Sequence, residues 1–280
     1  MKYALTNHWP EYLMEAAGLG LFMVSAGLFG TLLEYPNSPL HLAMPSPLVR
    51  RILMGLAMGL TAIGLIYYPW GQQSGAHYNP AVTLTFLRLG KVGPWDAAFY
   101  VLAQFVGGVV GVLLVAGLLR ASFARPPVQY VATLPGPSGV AIAFIAEAVI
   151  SGLLMATVLV SSNSARLMPF TGAFAGVLLF LYITFEAPLS GMSINPARTV
   201  ASAVPARLWT SLWVYFLAPP LGMLMAAEAY LAVGGHAAVH CAKLNHMTAR
   251  RCIFCGSGTQ QRSPSSLEQP DAPPGIQEGA

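Results

Sequence analysis

Charge is scarce in this 280-residue chain: Asp, Glu, Lys and Arg together make up 9% of it. Soluble domains carry about a quarter charged residues, so a water-facing surface of the usual kind is excluded. Hydrophobic residues fill 55% of the chain and the mean hydropathy is +0.61, the composition of a chain that crosses a membrane several times. Cysteine is scarcer still. Cys241, Cys252 and Cys255 all lie beyond the last long apolar stretch, so no disulfide framework holds the apolar body. In a reducing compartment these thiols do not form a structural bridge. Basic patches rich in aromatics are missing, and a net charge of +4 is modest and spread through loops. That excludes nucleic acid as a partner and points to lipid headgroups. No nucleophile stands with a base at motif spacing and no phosphate loop occurs, so nothing supports an enzyme.

A hydrocarbon core about 30 Å thick takes roughly 20 apolar residues per crossing helix. Six stretches meet that requirement, at residues 12–33, 48–69, 95–118, 140–160, 169–187 and 208–233. They predict an all-α membrane protein with six transmembrane helices. The first stretch is too long for a signal sequence, contains Glu15 and has no small-residue cleavage site, so no processing is expected. Six crossings put both termini on one side, together with Lys2, Arg88, Lys91, Arg166, Lys243, Arg250, Arg251 and Arg262. The other side holds Arg50, Arg51, Arg120, Arg125, Arg198 and Arg207. The bias favours cytoplasmic termini, in a bacterial-type inner or plasma membrane.

The tripeptide Asn-Pro-Ala occurs twice, at Asn79-Pro80-Ala81 and Asn195-Pro196-Ala197, each time in a polar break between apolar stretches. Asn caps a helix, Pro fits its first position and Ala follows as a good helix former. Each copy therefore predicts the start of a short helix, at 80–89 and 196–204, too brief to cross alone. Each is preceded by a serine–glycine step, Ser74-Gly75 and Ser190-Gly191. Glu15 in the first stretch is matched by Glu147 in the fourth. With three crossings per half, the second half points the opposite way, and the two half-helices meet near the midplane as an inverted repeat. The chain divides into a first half (1–118), a second half (119–235), a Cys/His segment (236–256) and a tail (257–280) whose Ser, Gln, Pro and Gly content predicts disorder.

The runs Ser74-Gly75-Ala76-His77-Tyr78-Asn79-Pro80-Ala81-Val82-Thr83-Leu84 and Gly191-Met192-Ser193-Ile194-Asn195-Pro196-Ala197-Arg198 resemble the aquaporin and glycerol-facilitator family, the major intrinsic proteins. The resemblance covers roughly residues 10 to 233. It implies an aquaporin-like fold, a passive channel for water and small neutral solutes with no required cofactor, and a homotetramer of four pores. It implies that Asn79 and Asn195 present amide N–H groups to the pore and exclude protons there. Arg198 follows the family's selectivity arginine, with Met192, Ile183 and Met58 at the other constriction positions; Met58 needs a one-residue insertion, and Gly59 is its alternative. Ordinary apolar packing is the alternative reading of Met192 and Ile183. Ile183 stands where water-specific members carry His, which weakens exclusive water selectivity. Thr199, Ala203, Tyr215 and Phe216 lean towards the water branch, and a glycerol facilitator remains the second reading. Glu15 and Glu147 support the re-entrant loops in this family.

Two readings of another class remain. A proton-coupled transporter would use Glu15 or Glu147, although no chain of further acids or histidines continues a relay. A metal-responsive sensor would use the Cys/His segment, where Cys241, His246, Cys252 and Cys255 suit tetrahedral zinc, with His240 and His236 in reserve and free thiols as the alternative. His77, at the cytoplasmic mouth, is either a satisfied loop histidine or a gating group. Gly107, Gly108, Gly111, Gly172 and Gly176 allow close helix approach.

Overall fold

The computed structural model of the chain describes residues 1–246 and 250–256. The tail from 257 onward lies outside them. Six helices are long and apolar enough to cross a membrane: Lys2–Glu34, Pro47–Tyr67, Pro94–Leu119, Val140–Ser162, Met168–Ser190 and Leu212–Gly234. The described residues contain no β-strand. Between the second and third spans lies a half-helix, Pro80–Arg88, and between the fifth and sixth lies another, Pro196–Ala206.

Local chemistry explains where these elements depart from the sequence boundaries. The first span begins at Lys2 rather than at residue 12, because its polar opening turn is tied to the third span: the Tyr12 hydroxyl donates to Asp96 Oδ1 at 2.6 Å and His8 Nδ1 lies 2.8 Å from the same oxygen. The second span ends at Tyr67, because Pro69 forces Tyr68 into extended backbone before the short helix Pro69–Ser74. The fifth span carries a π-helical turn, Tyr182–Glu186, which rotates the faces beyond it. The second half-helix continues through Pro205, since a proline in the last turn sacrifices a single bond, and it stops at Arg207 in left-handed backbone (φ +55°).

The halves pack alike. A Cβ at Gly107 of the third span would sit 2.0 Å from the Ala16 carbonyl of the first; a Cβ at Gly222 of the sixth would sit 2.0 Å from the Ala148 carbonyl of the fourth. Across the halves, Gly59 and Gly176 face each other, each leaving space that a side chain would fill at 2.6–2.7 Å from the other's carbonyl. Small residues let helix backbones approach where lipid supplies no hydrophobic drive for association. The outer faces carry exposed Leu102, Leu113, Leu118, Val149, Phe185 and Met225, an apolar girdle suited to acyl chains. Substituting Gly107→Leu should wedge the first and third spans apart and cost about 1–3 kcal/mol. A lowered midpoint in denaturant titration of the detergent-solubilised protein is the expected result.

Candidate functional site

Each half-helix starts from an asparagine in extended backbone followed by proline. Asn79 Oδ1 accepts from the Ala81 N–H at 2.9 Å, and Asn195 Oδ1 accepts from Ala197 N–H at 3.0 Å and Arg198 N–H at 3.2 Å. The caps are cross-linked as well. Asn79 Nδ2 donates to the Ile194 carbonyl at 2.7 Å, and Asn195 Nδ2 donates to the Tyr78 carbonyl at 2.8 Å. Each amide has two N–H groups, so one spans to the opposite loop and the other is left for whatever lies beside it.

The loops leading to the caps repeat one another residue for residue. Gly75, Ala76 and Tyr78 have positive φ, and so do Gly191, Met192 and Ile194. Four left-handed non-glycine residues are costly and persist only where their surroundings hold them. Buried carboxylates supply that hold. Glu15 accepts from Ser74 Oγ (2.8 Å), His77 N–H (3.1 Å), Tyr78 N–H (2.6 Å) and Gln104 Nε2 (2.8 Å). Glu147 accepts from Ser190 Oγ (2.8 Å), Ser193 N–H (2.6 Å) and Ile194 N–H (2.7 Å). The hydroxyls of Tyr100 and Tyr215 donate to the carbonyls of Ser74 and Ser190. Sequence reading missed Gln104 and Tyr100 in this role; a glutamine in an otherwise apolar span was the available signal.

A cavity of about 350 Å³ runs along these loops, from Glu34, Arg51 and Val131 at one end to His77 and Leu244 at the other. Asn79, Asn195, Arg198, Met192, Ile183, Met58 and His77 all border it. The opposing wall is apolar, built from Leu19, Phe22, Met54, Leu154 and Leu179 among others. Arg198 Nη1 and Arg51 Nε are buried with no hydrogen-bond partner among the described protein atoms. Met58 borders the cavity, whereas Gly59 is spent on the contact with Gly176. Met54 was missed. Its neighbour Gly55 packs against Phe180 O and Thr184 Oγ1, which puts Met54 at the level of Ile183, a turn beyond Met58. The repeated Met-Gly, four residues apart at 54–55 and 58–59, was the signal. Thr199, Ala203, Tyr215 and Phe216 do not border the cavity; Thr199 is bonded to Thr133 and Ser193 instead.

At the terminal end, residues 236–246 and 250–256 fold back onto the first loop. His77 is buried: its Nε2 donates to the Ala242 carbonyl at 2.8 Å and its Nδ1 lies 3.1 Å from Thr83 Oγ1. The donor atoms of Cys241, His246, Cys252 and Cys255 all lie within 4.8 Å of one another. His236 and His240 stand outside this group. The Cys241 thiol, hydrogen-bonded to Cys252, draws the Cys252 thiol below its ordinary range, and the same pairing pushes Cys241 up.

Six spans, two half-helices joined cap to cap, and a cavity along the junction define a polytopic membrane protein of the channel class. Residues 4–230 match the Major intrinsic protein family, and the chain belongs to that family. Its members are passive channels rather than enzymes. Aquaporin NIP1-1 of Zea mays is 35% identical over 60% of this chain and 58% of its own length. Glycerol uptake facilitator protein-like 6 of Lactiplantibacillus plantarum is 36% identical over 63% of this chain and 82% of its own. The chain thus spans about three fifths of the plant relative's length. The fold is that of the aquaglyceroporin from Plasmodium falciparum, with a TM-score of 0.68 over 83% of this chain and 99% of that one, at 22% identity.

Removing a loop-holding carboxylate orphans several buried donors, each costing about 1–3 kcal/mol. Glu15→Ala and Glu147→Ala should each lower the thermal midpoint in detergent more than Glu34→Ala does, because Glu34 is only partly buried and bonded to Arg50 alone.

Proposed function

We propose that the chain forms a passive transmembrane channel for water and small neutral solutes, with its termini in the cytoplasm of a bacterial-type inner or plasma membrane and four chains side by side. The observation that carries this reading is the pair of asparagine caps, each with one N–H free for the cavity at the meeting point of two half-helices. A permeant oxygen there accepts from Asn79 and Asn195 while the positive helix ends repel cations and break a proton wire. Arg198, with an unpartnered Nη1, offers a further donor and repels cations at the constriction formed with Ile183, Met192 and the methionines at 54 and 58. Glu15 and Glu147 act as loop supports, which favours a passive channel over a proton-coupled transporter. No cofactor takes part in permeation.

The wall opposite the polar stripe is apolar, and this favours a second substrate class: short polyols, whose hydroxyls face the donors while their carbons lie on Met54, Met58 and Ile183. The relatives named for glycerol uptake and as an aquaglyceroporin agree with it. Stopped-flow light scattering on vesicles in chelator-containing buffer tests both. Faster shrinkage than empty vesicles in an osmotic step is expected, and faster re-swelling in a glycerol gradient. Shrinkage at the rate of bare lipid would refute the water channel. Arg198→Ala should admit larger solutes and ions; unchanged selectivity would remove Arg198 from the constriction.

A further inference from the structure

The Cys/His segment lies outside the region shared with the family, residues 4–230, yet Val239, Cys241, Ala242, Lys243, Leu244 and Cys252 within it are buried. We propose that Cys241, His246, Cys252 and Cys255 bind one zinc ion, and that the metal holds this segment across the terminal-side mouth of the cavity, so that zinc seals the channel. The sealing rests on the channel reading above; the metal site does not.

Three sulfurs and a nitrogen in tetrahedral array about zinc, with Zn–S near 2.3 Å and Zn–N near 2.0 Å, stand about 3.5 Å (S···N) to about 3.8 Å (S···S) apart. Cys241 Sγ and Cys252 Sγ are 3.5 Å apart, and His246 Nε2 is 3.1 Å from Cys255 Sγ. A disulfide between the first two would need about 2.05 Å. Three thiolates and an imidazole are a soft to borderline set that selects zinc over magnesium or calcium. None of the three cysteines is in a disulfide, and all four ligands come from one short stretch whose described residues contain no helix or strand. Metal binding at such a site is folding free energy.

The ligands bracket the residues that touch the mouth. Between Cys241 and His246, the Ala242 carbonyl accepts from His77 Nε2, and Leu244 donates its N–H to the Gly75 carbonyl at 3.2 Å while its side chain borders the cavity. Between Cys252 and Cys255, Phe254 stacks on the His77 ring with centroids 5.6 Å apart and planes 2° from parallel. Both ligand pairs therefore clamp onto the loop that leads to Asn79. Leu244 adds an apolar residue to the end of the conduit, beside Ala242 and Val239 in the same buried cluster. Hydrophobic constrictions close pores by excluding water. Lys243, buried between the ligands, donates to the Arg251 carbonyl at 2.8 Å and draws the two ligand pairs together.

The test uses full-length protein purified without chelator, with metal content read by mass spectrometry. One zinc per chain is expected, lost in Cys252→Ser/Cys255→Ser; a protein that holds no zinc even after incubation with it overturns the proposal. Hydrogen exchange at the Leu244 amide and water flux in vesicles are then compared before and after a membrane-permeant zinc chelator. Exchange should quicken, and flux should rise about tenfold if zinc holds the cap shut about ten to one. Leu244→Gly should keep its zinc yet conduct while loaded. Unchanged exchange and flux on zinc removal overturn the cap. Faster exchange with water and glycerol flux still at the bare-lipid rate upholds the zinc-held cap and refutes the channel reading instead.

Discussion

Backbone N–H groups that open a helix inside a bilayer have no water to turn to, and an unpaired one costs several kcal/mol. This chain caps each opening with its own asparagine oxygen and ties each asparagine to a carbonyl of the opposite loop. Asn79 caps its own half-helix with oxygen and reaches the Ile194 carbonyl with nitrogen, and Asn195 does the same towards Tyr78. The exchange ties the two halves at their centre, and the spans surround that tie.

Around it, a buried carboxylate from each half collects the N–H groups that the strained loop turns inward. Glu15 and Glu147 are both completely buried. A carboxylate can accept several bonds at once, which is why one side chain organises a whole loop. Arg198 borders the cavity beside these loops. The cavity is polar where the side chains of Asn79, Asn195 and Arg198 border it and apolar along the wall built from Leu19, Phe22, Met54, Leu154 and Leu179.

The terminal segment uses the same loop from the other side. His77 sits between them, one ring nitrogen beside Thr83 of the half-helix and the other bonded to Ala242. Both ring nitrogens thus have partners, as a satisfied loop histidine requires. The chain outside the family region thus bears directly on the terminal-side end of the cavity.

The six spans, the inverted repeat and the helix starts at Asn79 and Asn195 were legible from residue order, because apolar length, proline and an asparagine cap act locally. So was the pairing of Glu15 with Glu147, since each occupies the same place in its half. What residue order left open was decided between elements. Gly55 and Gly59 both pack on the fifth span, and that contact alone puts Met54 and Met58 on the cavity wall and takes Gly59 off it. Gln104 and Tyr100 come from a span distant in sequence, so only the close approach of the first and third helices brings them to the loop. The cysteine spacing suggested a site, but nothing in it could say that Leu244 and Phe254 reach the mouth; that depends on where the sixth span ends relative to the first loop, a matter of three-dimensional packing.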